Sequence, residues 1–271
     1  RSLPLRAMSS ESKSVNPSHP AAQRLRIVLV GTQHPGNMGS AARAMKTMGL
    51  ARLVLVAPET RPNEDSYPLA GGADAVVGDA LVCETLAEAV ADCRLVLGCT
   101  ARSRRVQLEE LMPRDAAARA VTQAEGGTEV ALVFGRERTG LTNDELQLCH
   151  AAVHIPANPD YSSLNLAAAV QVLSYELRLA LLEGTSGEGA STGNEAPRDH
   201  RASHAEMEGI YAQLADTLDA IDFHKGRAPE SAMRKLRRLY LRAGLDAREV
   251  RILRGILADA QRMAMLAGSK R

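Results

Sequence analysis

The sequence predicts an α/β domain, a largely parallel sheet flanked by helices, followed by a small all-α domain. Three observations predict it. Between residues 26 and 183, short β-branched runs alternate with helical patterns, as in a chain of strand–helix–strand units. The Gly- and Ser-rich stretch from Gly184 to Pro197 has the composition of a flexible linker. Beyond it every periodic segment has helical spacing, and 271 residues leave room for one full domain and a small second one.

Taken in order, residues 1–24 are rich in Ser and Pro and lack the apolar centre of a secretion signal, so a disordered tail is expected. Strands are expected at 27–30, 53–57, 81–83, 95–99, 130–134 and 152–155. Helices are expected at 38–48, 86–91, 114–124, 143–148 and 164–182. These make up a domain at 25–183, joined by a linker at 184–202 to a basic helical domain at 203–271. Within the latter, helices are expected at 205–221, 229–243 and 246–267, punctuated by Pro229 and Gly244.

Composition narrows the function. Hydrophobic residues make up 45% of the chain but aromatic ones only 3%, so a dense stacking platform for bases is not expected. The four cysteines (Cys83, Cys93, Cys99, Cys149) form no C-x-x-C pair and read as buried apolar residues rather than a zinc ribbon or disulfide framework. His150 and His154 are four apart, but Val153-His-Ile155 reads as a strand, where that spacing does not converge, and no third ligand clusters with them, so no metal is expected. No apolar run approaches the roughly 20 residues of a membrane span, and a cytoplasmic protein is expected. The net charge of +1 hides a gradient: from Lys225 onward, 13 Lys and Arg face four acidic residues. The bursts Arg234-Lys235 and Arg237-Arg238 suit phosphate contact, the alternative being solvated helix faces whose Arg stems cover a small core.

Three segments carry chemistry. At the front, a strand ends at Gly31 and leads through Thr32 to Ser40 into a helix. Gly31 and Gly36 open a P-loop pattern, but Asn37 and Met38 follow where Lys and Ser/Thr are required. Gly31, Gly36 and Gly39 are spaced five and three apart, which also fails the dinucleotide fingerprint. The loop supplies flexible backbone opening a helix, with Asn37 as its expected cap and Arg43 on its second turn. In the middle, Gly135-Arg-Glu-Arg-Thr-Gly140 sets charged residues at a strand end, where Glu137 and Arg138 could pair with each other. In the third, Asn158-Pro-Asp-Tyr-Ser162-Ser-Leu-Asn-Leu166 joins a turn, a hydroxyl pair and a helix start. Ser162 or Ser163 can cap that helix and leave backbone N–H groups facing a cleft, although an ordinary capped helix is an equally simple reading. Arg102, Arg104 and Arg105 form a further basic burst, suited to phosphate or to an exposed loop.

These motifs, within residues 25–183, resemble the SPOUT superfamily of S-adenosylmethionine-dependent RNA methyltransferases, and most closely its TrmJ-type tRNA 2′-O-methyltransferases. The resemblance rests on Asn37-Met-Gly-Ser-Ala-Ala-Arg43, on Leu132-Val-Phe-Gly135-Arg-Glu-Arg138-Thr-Gly140-Leu-Thr-Asn143, and on Ile155-Pro-Ala-Asn158-Pro-Asp-Tyr-Ser162-Ser-Leu-Asn165-Leu. It implies a C-terminal trefoil knot and S-adenosylmethionine held by Cys99, Thr100, Ala101, Gly135, Ile155, Ser162, Ser163 and Leu164. Gly135 suits that place because a missing Cβ lets backbone approach an adenine ring. The resemblance also implies a homodimer with shared active sites and a target ribose at position 32 of the tRNA anticodon loop. Arg43 becomes the catalytic candidate, with Asn37 and Ser163 beside it. A guanidinium titrates above about 12, so positioning and electrostatic help fit Arg43 better than proton abstraction. RNA contact falls to Arg43, Arg102, Arg104, Arg105, Arg138, Arg234, Lys235, Arg237 and Arg238. Competing expectations are a ribosomal RNA or ring-nitrogen acceptor, and an RNA-binding module without activity.

Overall fold

The computed structural model describes residues 19–101, 108–161, 163–185, 201–226 and 228–268. Its centre is a seven-stranded sheet: β1 (Leu25–Val30), β2 (Arg52–Val56), β3 (Leu81–Cys83), β4 (Cys93–Cys99), β5 (Glu109–Leu111), β6 (Glu129–Phe134) and β7 (Ala151–Val153). The strand order is β3-β2-β1-β6-β4-β7-β5, and every pairing is parallel. A sheet covered on both faces needs apolar side chains on both, which is why β1 reads Leu-Arg-Ile-Val-Leu-Val and is buried throughout. Period-two alternation divides it. Ile27 and Leu29 join Met38, Met45 and Leu173 on one face, while Val28 and Val30 join Leu86, Leu141 and Leu146 on the other.

Helices α1 (Pro35–Thr47), α2 (Asp74–Gly78), α4 (Pro113–Glu125) and α6 (Leu166–Thr185) cover the first face; α3 (Leu86–Ala89) and α5 (Asn143–Gln147) cover the second. Helix α1 begins three residues before the expected position. Pro35, with no N–H to leave unpaired, occupies its first turn, and His34 caps it by accepting the Gly36 N–H on Nδ1 at 3.2 Å. Asn37 is therefore inside the helix rather than its cap, and Arg43 is on the third turn, not the second. Gly39 is needed there, because a Cβ would stand 1.9 Å from the Ser66 carbonyl oxygen of the short 3-10 turn Glu64–Ser66.

Strand β5 and helix α2 lie outside the expected elements. The former is a polar edge strand with both glutamates exposed, and the latter is only five residues long. Residues 20–24, expected as part of a disordered tail, form a 3-10 turn with Ala21 and Ala22 buried. Residues 1–18 of that tail and 186–200 of the expected linker lie outside the described residues.

The amino-terminal edge of the sheet holds a buried charge. Arg26, 4% exposed, donates to both Asp92 oxygens at 2.8 and 2.6 Å, to Glu129 at 2.7 Å and to the Ala89 carbonyl at 3.0 Å, and Arg52 also pairs with Glu129. Burial acts to raise the Asp92 pKa, but hydrogen bonding and charge from Arg26 outweigh it and hold the carboxyl below its usual range. Its contribution to stability is thus complete above the ordinary carboxylate pKa of about 4 and disappears as pH falls through the depressed value. Thermal unfolding between pH 7 and pH 3 is expected to show a shallower acid loss in Asp92→Asn than in the unaltered protein. Parallel profiles would refute this linkage.

Past the linker, α7 (His204–Ala220), α8 (Pro229–Ala243) and α9 (Ala247–Gly268) pack around Met207, Ile210, Tyr211 and Val250. This unit is fastened to the sheet domain through two backbone carbonyls. The Ala205 N–H donates to the Ala91 carbonyl at 3.0 Å, and Arg94 donates to the Arg201 carbonyl. Among the described residues, no helix is long and apolar enough to cross a membrane.

Candidate active site

Strands β6, β4 and β7 lie side by side and end together, and open α/β sheets bind ligands beyond the carboxyl ends of their strands. Here a cavity of about 430 Å³ opens at that edge. Cys99, Thr100 and Ala101 line it from the end of β4, Phe134 and the turn 135–140 from the end of β6, and Val153 and Ile155 from the end of β7. Ser163, Leu164, Leu166 and Ala169 close it at the start of α6. The volume falls within the ≈ 300–1,000 Å³ of small-molecule sites.

The 135–140 turn is held by the Gly140 N–H donating to the Arg136 carbonyl at 2.8 Å. A Cβ on Gly135 would lie 2.2 Å from both the Gly140 carbonyl carbon and the Leu141 nitrogen. Its glycine is thus required by the chain's own backbone as well as standing at the cavity wall. Arg136 reaches Glu145 of α5 at 3.0 and 3.1 Å. Glu137 accepts from Asn37 Nδ2 at 2.9 Å and from the Gln33 N–H at 3.3 Å, not from Arg138 as the sequence allowed. Asn37 thereby ties the first turn of α1 to the cavity rim, while Arg138 lines the cavity itself.

The third motif differs in one respect. Helix α6 begins at Leu166 and its first turn is capped by Asn165, whose Oδ1 accepts the Ala167 N–H at 2.8 Å. Ser163 is left exposed at the cavity and is not the cap. Ser162, Arg102, Arg104 and Arg105 lie outside the described residues. The Asn158 side chain accepts the Asp160 N–H at 3.1 Å and shapes the preceding turn.

Arg43 is exposed, lies against Gly71 and takes no part in lining the cavity of its own chain. Arg234, Lys235, Arg237 and Arg238 come together elsewhere, around a second cavity of about 400 Å³ between α8 and α5. Of these, Arg237 is already engaged. It pairs with Glu208, 2.6 Å from Nη2 to Oε2, and its guanidinium stands 4.4 Å from the centre of the Tyr211 ring. Arg237 thus has partners inside the helical domain as well as a place at this cavity.

Burial raises the Cys99 thiol, and holds Cys93 and Cys149 up at about 12, so all three stay neutral. His150 accepts the Val96 N–H on Nδ1 at 3.0 Å, and burial, then the neighbouring His204 and Arg201, lower its pKa to about 4. The described residues contain no group of three or more His, Cys, Asp and Glu able to hold a metal. The resemblance also placed the backbone of Phe134 to Arg136 around the donor, whereas sequence reasoning missed Glu137, Thr139, Gly140, Val153, Leu166 and Ala169 as cavity residues. Contiguity was the available signal, since the whole 134–140 segment curls around the opening.

Residues 24–175 match the model of the SpoU rRNA Methylase family, and residues 205–269 that of the tRNA methyltransferase TrmJ, C-terminal domain. The tRNA (cytidine/uridine-2′-O-)-methyltransferase TrmJ of Salmonella typhimurium is 50% identical over 239 residues, 88% of this chain and 97% of that protein. Among solved structures, TrmJ from Z. mobilis ZM4 aligns with a TM-score of 0.73 at 35% identity, over 86% of this chain and 97% of the other. A probable methylase family protein from Haemophilus influenzae Rd KW20 aligns with a TM-score of 0.60 at 42% identity, over 91% and 99%.

Proposed function

The chain belongs to the SpoU rRNA methylase family, with the C-terminal domain of TrmJ, and we propose that it is a tRNA (cytidine/uridine-2′-O-)-methyltransferase using S-adenosylmethionine. The target is the ribose at position 32 of the anticodon loop. The observation that carries the reading is the 430 Å³ cavity, where residues of the second and third motifs converge with Cys99, Thr100 and Ala101 at the ends of adjacent strands, and Asn37 of the first motif holds Glu137 at its rim.

The cavity suits this donor. Phe134, Val153, Ile155 and Leu166 offer an apolar wall to an adenine ring, while Thr100, Ser163 and the backbone of the 135–140 turn offer polar groups to the ribose and amino acid ends. S-adenosylmethionine, when bound, supplies a methyl group on a positively charged sulfur that departs as a neutral thioether. Little acid–base force is then needed, and alignment dominates: effective molarities of 10⁵–10⁸ M correspond to about 7–11 kcal/mol of barrier. The chain's part is to orient. Ser163 and the 135–140 turn fix the donor side, Asn37 holds Glu137 at the rim, and Arg43 holds the phosphate beside the accepting 2′-hydroxyl, whose proton leaves to water.

Because Arg43 is outside its own chain's cavity, it serves the cavity of a second copy, in a homodimer with two shared sites. A cytoplasmic setting and the trefoil knot belong to the same reading. The test is methyl transfer from labelled S-adenosylmethionine to unmodified tRNA, followed by mapping of the product. A 2′-O-methyl group at nucleotide 32 is expected. Transfer only to ribosomal RNA or to a ring nitrogen, or no heat of binding with S-adenosylmethionine or S-adenosylhomocysteine, would overturn the proposal.

A further inference from the structure

The second cavity, of about 400 Å³, is built jointly by the two domains. Ser231, Arg234, Lys235, Arg238 and Leu241 recur at three- and four-residue intervals and so share one face of α8. Asn143 and Gln147, four apart, meet them from α5, and Leu108 adds an apolar wall. Arg237 lines the edge, but its guanidinium is committed to Glu208 and Tyr211 on the neighbouring side of the helix. The other three cations differ. Arg234, Lys235 and Arg238 have no acidic partner among the described residues, and Nη2 of Arg238 is buried there without a hydrogen-bond acceptor. A buried donor left unpaired is costly, and three uncompensated cations facing two amides across a cleft make a site for an anion with several acceptor oxygens.

We infer that this cleft grips a phosphodiester stretch of the RNA substrate, Arg234, Lys235 and Arg238 on phosphate oxygens and the amides of Asn143 and Gln147 on the adjoining sugar–phosphate. The inference rests on the proposed tRNA substrate and goes beyond it, because the catalytic domain itself supplies part of the grip. Helix α5, which carries Asn143 and Gln147, also carries Glu145, the partner of Arg136 at the donor cavity. At 1.5 Å per residue its five residues span only about 7.5 Å. RNA seated in the cleft therefore bears on the same short helix that props the rim of the donor cavity, and the helical domain is clamped against the sheet domain when substrate is bound.

The test is the salt dependence of binding between the full-length protein and an unmodified tRNA transcript. Each phosphate contact removed lowers the magnitude of the log–log slope by roughly 0.7–0.9. Lys235→Gln with Arg238→Gln is expected to lower it by about 1.5, whereas Asn143→Ala with Gln147→Ala weakens binding several-fold at an unchanged slope. Arg237→Gln is expected to lower thermal stability and leave the slope alone. A wild-type slope in the Lys235→Gln, Arg238→Gln protein, with circular dichroism and S-adenosylmethionine binding unchanged, would overturn the inference. A steep wild-type slope made shallower in that double variant, with no methyl transfer by any of the proteins, would sustain the cleft and overturn the proposed activity.

Discussion

Replacing Arg43 by Ala is expected to lower methyl transfer to tRNA by at least about 100-fold, the usual loss when a group that stabilises developing charge is removed. S-adenosylmethionine affinity should be unchanged, because Arg43 acts on the phosphate of the acceptor while the donor wall is built from other residues. Mixing separates action within one chain from action across two. A preparation of Arg43→Ala combined with a donor-deficient Gly135→Ala chain can form mixed dimers in which one site has an intact cavity and an intact Arg43. With random pairing, half of the dimers are mixed and half of their sites competent, so activity should recover to about a quarter of the unaltered level. No recovery, with mixed dimers demonstrated by differential tagging, would place Arg43 in its own chain's site.

The Gly135→Ala chain is the second large effect. Its new methyl group would sit 2.2 Å from two backbone atoms of residues 140 and 141, a distance no side-chain rearrangement relieves. The 135–140 turn must open, and Arg136 and Glu137 move with it, loosening the ties to Glu145 and Asn37. Overpacking of this kind costs about 1–3 kcal/mol, read as a lower urea midpoint. The loss at the cavity is larger in consequence, and calorimetric S-adenosylmethionine binding is expected to weaken by about 100-fold. Wild-type affinity in a folded Gly135→Ala protein would show that the turn does not shape the donor site.

Much of this architecture is legible in the chain because a parallel sheet leaves a plain signature. Ile27 to Val30 and Val130 to Phe134 are buried on both faces, so they stand out as unbroken apolar runs. The edge strand β5 carries no such signature, since Glu109 and Glu110 are exposed and only its backbone pairs with β7. The start of α1 is concealed differently: its first turns contain Pro35, Gly36 and Gly39, residues that usually signal a loop, and Gly39 is dictated by Ser66, 27 positions away. The motifs placed Cys99, Thr100, Ala101, Gly135, Ile155, Ser163 and Leu164 around one opening, but the backbone contact that also demands a glycine at 135 lies five residues on and is not visible in the motif. The basic bursts announced a charged helix without saying which cation was free. Arg237 and Arg238 are adjacent in sequence, yet only the turn of α8 decides that one faces Tyr211 and the other the cleft.

The backbone hydrogen bond from Ala205 to Ala91, with Arg94 on the Arg201 carbonyl, pins the helical domain where it begins. Arg201 is thus held at one end, and α6 is packed on the sheet through Leu173, Leu177 and Leu181 at the other, so residues 186–200 connect two elements that are already placed. Closure entropy grows only slowly with loop length, by about 0.6 kcal/mol per doubling. Insertions and deletions in that connector should therefore leave the placement of the basic helices intact, and spacing between the two halves is free to drift across descendants of this gene while the Arg94 and Ala205 attachments are not.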